Sequence, residues 1–281
     1  METRHTATWV ACTAAALMAA SGCGTHGAET AVKVVDKADG AMAALARATD
    51  RTEALRSAEV RMTTDTGTSG PVAMAGTYSW GDGYAFDVRM DTEAAHMQAV
   101  NHSPETHVLF VDGVYYYDVD TFRSGPYKGR DWIKVDGSAV FGKKGSQALA
   151  GADGSPSASM KGLKYARDVR NLGAQTVDGR HTTHYRAVVD QDHMGRLKDA
   201  YGEGSPMSAA TGATSIATDV WVGSDDLPVR LRQKMGTLTV TMDFEKFGRT
   251  VDVKAPPAAR TADLTAVIEA QRKRGQLGRQ G

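Results

Sequence analysis

The chain has 281 residues, two cysteines, 41% hydrophobic residues, and 33 Lys and Arg set against 33 Asp and Glu. A formal net charge of zero leaves no global basic field, so nucleic acid is not an expected partner. The length suits one large domain, and two cysteines are too few for a disulfide framework.

Arg4 and His5 form a weakly positive start, followed by the apolar run Ala7 to Ala20, broken only by Thr8 and Thr13. Small residues Ala20-Ser21-Gly22 then lead into Cys23. A charged start, a short apolar stretch and small residues at a cleavage point form a secretory signal. The stretch is shorter than the roughly 20 apolar residues that span a bilayer. It resembles the lipobox of bacterial lipoproteins, with Ala20 standing where that motif usually has Leu. Residues 1–22 are therefore expected to be a lipoprotein signal, cleaved before an acylated Cys23 (a palmitate-type anchor). The other reading is an ordinary signal with an incidental cysteine. Cys12 would leave with the signal, so the mature chain would keep Cys23 alone. That arithmetic excludes an intramolecular disulfide, a structural zinc site or a thiol redox pair. No later run approaches the length of a second membrane span.

Residues 23–30 read as a tether, 31–258 as a folded domain and 259–281 as a tail with a short helix. Val34, Val35, Ala38, Ala41, Met42, Leu45 and Ala48 recur at spacings of three and four, which predicts a helix from about Ala31 to Leu55. From Ser57 the period becomes two. Val60 and Met62, then Val72, Met74, Tyr78 and Trp80, then Tyr84, Phe86, Val88 and Met90 alternate with polar or small residues. His107–Val111 and Val114–Val119 flank Asp112-Gly113, a hairpin signal. Trp132–Val135 is a short strand. Gly142–Met160, rich in Gly, Ser and Ala, reads as a weak helix or a mobile loop. Val169–Val177 and His181–Val189 flank a second hairpin turn, Asp178-Gly179. Gln191–Tyr201 reads as a helix and Gly202–Thr214 as a flexible surface loop. Ile216–Val222 is a strand. Leu231 and Met235, then Leu238, Val240, Met242 and Phe244, alternate in the last two strands. Pro256 and Pro257 are expected to stop the sheet, and Leu264–Lys273 reads as a terminal helix. The pattern is α+β: one helix, then about ten strands in a large curved antiparallel sheet whose apolar face helices cover.

Chemistry-bearing motifs are sparse. Gly137 to Lys144 has phosphate-loop spacing, but Lys144 replaces the metal-binding Ser or Thr and the parallel-sheet context is lacking. His181 and His184, three apart on a strand, point to opposite faces and cannot share a metal. His96, His102 and His107 lack the partners that would complete a site. Asp190, Asp192, Asp225 and Asp226 fit turns better than a calcium loop. No nucleophile elbow occurs. Arg272-Lys273-Arg274 and Arg279 form a basic tail that reads as solvated or as contacting anionic lipid. No catalytic residue, cofactor or metal is expected. Met62, Met74, Met90, Met235 and Met242 share one phase with the aromatics. Flexible, polarizable methionine suits a face that adapts to varied apolar ligands; the competing reading is a plain core.

Asp219-Val220-Trp221-Val222, Leu227-Pro228-Val229-Arg230, Phe244, Phe247-Gly248 and Val251-Asp252-Val253 before Ala255-Pro256 resemble the LppX/LprAFG lipoprotein family over roughly Ala31 to Pro257. The resemblance implies a half-open barrel of antiparallel strands capped by helices, similar to the LolA/LolB carriers. It implies a hydrophobic cavity for lipids or lipoglycans, and no cofactor or reaction. The chain departs from that pattern at Gly142–Met160 and Gly202–Thr214. The expected function is lipid or glycolipid binding for transport or presentation, at the outer face of the cell membrane, with transport partners unidentified. The alternative is a non-catalytic interaction or sensor lipoprotein with a packed core. Cavity candidates by strand phase are Val60, Met62, Met74, Tyr78, Trp80, Tyr84, Phe86, Val88, Met90, Leu231, Met235, Leu238, Val240, Met242 and Phe244.

Overall fold

The 3.6-residue apolar stripe folds as α1, Thr30–Leu55, and the period-two segments that follow fold as strands. The structure, a computed structural model, describes residues 30–68, 70–150, 156, 160, 163, 166, 168–190, 208, 211–248 and 252–277. The signal, Cys23 and the tether to residue 29 lie outside the described residues, as do 191–200 and most of 151–165 and 201–210.

Twelve strands are present among the described residues: β1 Ser57–Asp65, β2 Pro71–Ser79, β3 Ala85–Asp91, β4 Glu105–Val111, β5 Val114–Asp118, β6 Trp132–Asp136, β7 Asp168–Val177, β8 Arg180–Asp190, β9 Ser215–Gly223, β10 Pro228–Met235, β11 Leu238–Phe247 and β12 Thr261–Asp263. They form one sheet in the order β12-β6-β5-β4-β3-β2-β1-β11-β10-β9-β8-β7. Its edge strands β12 and β7 do not pair with each other, so the sheet is an open, half-barrel surface. A sheet of this many twisted strands curls, and the curl gives it an inner and an outer face.

Both Asp-Gly turns behave as expected. Asp112 and Gly113 have φ of 53° and 78°, and Asp178 and Gly179 have 49° and 76°. Positive φ at both central residues matches the twist of the flanking strands. These tight turns sit at one end of the sheet, with the α1–β1 junction. The opposite end carries the long connections, 92–104 between β3 and β4 and 119–131 between β5 and β6.

Two expectations are corrected. Pro256 and Pro257 do not end the sheet: a 3-10 turn at Ala258–Arg260 leads into β12, which pairs parallel with β6 through Thr261↔Trp132 and Asp263↔Lys134. Arg130 Nη1 donates to the Thr261 carbonyl (2.9 Å), and Lys134 pairs with Asp263 (3.0 Å), so side chains fix a strand too short to show a pattern. Residues 261–263 thus belong to the sheet, and the helix after them, α3 at Thr265–Leu277, packs on β6. The loop expected at Gly202–Thr214 is tied down at its end. Thr211 and Ala213 are buried, and the Thr237 N–H donates to the Thr211 carbonyl (3.0 Å). Of Gly142–Met160, read as a weak helix or a mobile loop, residues 142–150 are helical, as part of α2 at Gly137–Ala150, which is interrupted at Gly142 (φ 73°).

Alternation sorts the side chains. The outer face carries ion pairs, among them Arg61 with Glu245 (3.1 Å) and Lys246 with Glu59 (2.8 Å). The inner face carries the core, closed from above by Ala41, Ala44, Leu45 and Ala48 of α1 and by Met160, Leu163 and Ala213. At its C-terminal end α1 is pinned by Trp80, whose indole N–H donates to the Thr52 carbonyl (3.1 Å).

Candidate functional site

Strand register brings the fifteen candidates together as one surface, arranged in cross-strand rows. Nearest the tight turns lies an aromatic row, Tyr115–Phe110–Phe86–Tyr78, running through Ala58 to Phe247. Its ring centroids lie 4.6 Å apart for Phe110 and Tyr115, 5.4 Å for Phe86 and Phe110, and 5.3 Å for Tyr78 and Phe86. Next comes Val108–Val88–Gly76–Val60–Phe244. The third row is Met90–Met74–Met62–Met242, continuing through Leu231 and Val220 to Tyr185. Four methionines on four adjacent strands therefore face one another in the middle of the sheet. A fourth row, Val72–Thr64–Val240–Gln233–Thr218, lies toward the long connections, and Leu238, Met235 and Ile216 close that end. Trp80 and Tyr84 flank the aromatic row at the β2–β3 turn.

The whole face is buried. Trp80 and Tyr84, at 6% exposure, are the most accessible of the fifteen. Burial, and then the neighbouring Tyr115, pushes the Tyr78 phenol far above its ordinary pKa; burial and then Tyr78 do the same for Tyr84. Both hydroxyls therefore stay neutral. The Tyr78 hydroxyl donates to Met62 Sδ at 3.9 Å.

Choosing methionines and aromatics left out part of the same surface. Val108, Phe110, Tyr115, Tyr117, Tyr185 and Val220 belong to it, as do the polar Thr64, Thr106, Gln233 and Thr218. The period of two in β4, β5, β8 and β9 carries the signal that would have added them.

The remaining motifs resolve as structure. Strand β6 runs straight into α2, with the Ser138 N–H donating to Asp136 Oδ1 (2.7 Å), so no phosphate loop exists at Gly137. His184 pairs with Asp219 (2.8 Å) and stacks on Trp221, while His107 pairs with Asp87 (2.7 Å) beside Trp132. His102 pairs with Asp120, and that hydrogen bond holds the carboxyl below its usual range. These two line, with Ala99, Val100, Phe122 and Arg123, an open cleft of about 860 Å³ at the long-connection end. No group of three metal-ligating side chains occurs among the described residues. No helix among them is long and apolar enough to cross a membrane.

An open, mostly antiparallel sheet whose inner face is largely apolar, with a helix laid across it, is a half-barrel. The LprF structure of Mycobacterium bovis superposes with a TM-score of 0.50 over 78% of this chain and 98% of that one, at 13% identity. The Mycobacterium tuberculosis lipoprotein LppX matches with a TM-score of 0.50 over 77% of this chain and 99% of that one, at 14% identity. The resemblance read from Asp219 to Pro256 is borne out: the chain has the LppX/LprF-type fold. In sequence, a candidate lipoprotein of Streptomyces coelicolor is 29% identical over 227 residues, covering 76% of this chain and 72% of that protein. An uncharacterized Streptomyces griseus protein, encoded between rplA and rplJ, is 23% identical over 252 residues, covering 81% of this chain and 80% of its own. No family model matches the chain.

Proposed function

We propose that the chain is an exported lipoprotein, acylated on Cys23 and held at the outer face of the cell membrane. Its inner sheet face takes the acyl chains of a lipid or glycolipid for transport or presentation in the envelope. It works without a cofactor and catalyses no reaction. The observation that carries this reading is the Met90–Met74–Met62–Met242 row at the centre of a largely apolar face. Each CH₂ moved there from water contributes about 0.8 kcal/mol, so one long chain supplies affinity without a specific polar contact. Methionine's three rotatable bonds let the face re-form around chains of different shape. The lipoprotein character of the Streptomyces coelicolor relative and the fold shared with LprF and LppX support the same reading.

Because the face is buried beneath α1, Met160 and Leu163, lipid entry requires this cover to lift. Among the described residues the hydrophobic side chains of α1 that close the face are Ala41, Ala44, Ala48 and Leu45, three of them alanine. Alanine buries far less apolar area than the 1.5–3 kcal/mol typical of a larger aliphatic side chain. The test is native mass spectrometry of the Cys23→Ser chain, which bears no acyl group of its own, after incubation with envelope lipids. Lipid-bound masses are expected.

The completeness of the burial favours a second reading, an interaction or sensor lipoprotein with a permanently packed core. Mass spectra showing only empty protein after incubation would decide for it.

A further inference from the structure

The fourth row of the inner face differs from the other three. Thr64 on β1, Gln233 on β10 and Thr218 on β9 point inward, in phase with Met62, Leu231 and Val220, and they are 1%, 2% and 2% exposed. The Gln233 side-chain amide donates to the Thr218 hydroxyl at 3.4 Å. The Thr64 hydroxyl is buried and has no hydrogen-bond partner among the described residues. A buried, unpaired hydroxyl is destabilising, and valine, the same shape without the hydroxyl, would avoid that cost. An unpaired donor in an otherwise apolar strand face calls for an acceptor that arrives from outside.

We propose that Thr64, which shares a cross-strand row with Gln233 and Thr218 and is separated from Gln233 by Val240, is the seat of a neutral carbonyl on the bound lipid, the ester or amide carbonyl that joins an acyl chain to its head group. This rests on the lipid-binding reading and narrows it to acylated lipids rather than free hydrocarbons. Charge selects the neutral group. Among the described residues no Lys or Arg is buried, so a phosphate or free carboxylate at this depth would stand uncompensated. Position selects the linkage. From Thr64 the inner face runs through the methionine row to Ala58 beside the aromatic row, six residues or about 20 Å along β1, the reach of a long acyl chain. In the other direction lie the long connections and the open cleft beside Phe122, His102 and Arg123, where a polar head group stays in water.

The experiment compares dipalmitoyl phosphatidylglycerol with its dihexadecyl ether analogue, which keeps the chains and head group and lacks both carbonyls. Affinities are measured for the Cys23→Ser chain and for its Thr64→Val and Thr64→Ser derivatives. One donor hydrogen bond predicts a roughly two- to tenfold preference for the ester lipid. Thr64→Val should erase that preference while keeping ether-lipid affinity, and it should melt at or above the parent temperature. Thr64→Ser should retain the preference. Equal binding of both lipids by the parent, or an ester preference that survives Thr64→Val, overturns the seat and leaves lipid binding standing. No binding of either lipid overturns both.

Discussion

Gly76 lies on the inner face between Val60 and Val88, where β2 passes closest to β3. A Cβ added there would fall 2.1 Å from the Asp87 carbonyl oxygen and 2.7 Å from the Val88 Cα. Both are backbone atoms of the neighbouring strand and cannot swing aside. Gly76→Ala should therefore destabilise the protein by roughly 1–3 kcal/mol, as overpacking in a dense core does. Thermal melting should register this as a fall of about 2–4 °C per kcal/mol for a domain of this size. An unchanged melting temperature would mean that β2 and β3 are less tightly joined than their register implies. The sequence pattern at Val72, Met74, Tyr78 and Trp80 already leaves a gap at position 76 but does not say why. The reason is a distance between backbones, which alternation does not encode. Thr64 illustrates the same point from the other side. Its inward phase follows from Val60 and Met62, yet its missing partner appears only once the neighbouring rows are assembled.

Elements were legible wherever one physical signal dominated over enough residues. Helix α1 was expected from Ala31 to Leu55 and spans Thr30–Leu55, because its apolar stripe persists for several turns and ends where Arg56 takes a positive φ of 61°. The two Asp-Gly turns were legible because few other dipeptides accept positive φ twice in a row. Strand β12 was not. Three residues are too few for a period, its pairing is parallel, and its anchors, Arg130 and Lys134, are remote in sequence. That strand and α3 together shield β6, so deletion from Thr261 onward should expose the Trp132–Asp136 edge. An unpaired edge is a template for another chain. Size-exclusion chromatography of the truncated protein should show new dimers or aggregates, and a clean monomer with native circular dichroism would contradict the shielding role. Leu45, 2% exposed and the one large aliphatic in the buried stripe described for α1, makes the complementary case. Leu45→Ala should cost about 2–5 kcal/mol. If α1 is a cover, amide exchange should quicken in α1 well before it does in β1 to β3.

At the scale of the molecule, the half-barrel was legible from periodicity and resemblance together, whereas the closed state of its inner face was not. Periodicity reports which side of each strand is apolar, and it is silent on whether helix or ligand covers that side. The structure, with every candidate at or below 6% exposure, shows the covered form. For the anchored lipid carrier proposed above, a face that opens only where lipid is abundant would give the anchor a kinetic role. Six residues lie between Cys23 and Thr30, seven steps of at most about 3.3–3.6 Å each, so an acyl group on Cys23 would hold the start of α1 within roughly 25 Å of the bilayer. A short tether keeps the lipid supply at high effective concentration, and that concentration falls as the tether lengthens. Inserting a flexible Gly/Ser segment of about 40 residues after Gly24 should therefore leave the solution affinity for lipid unchanged. Uptake of a fluorescent lipid from the vesicles to which the protein is anchored should slow several-fold. If uptake proceeds at the same rate with the long tether as with the natural one, opening of the cover rather than access to the bilayer sets the pace, and the anchor serves only to fix location.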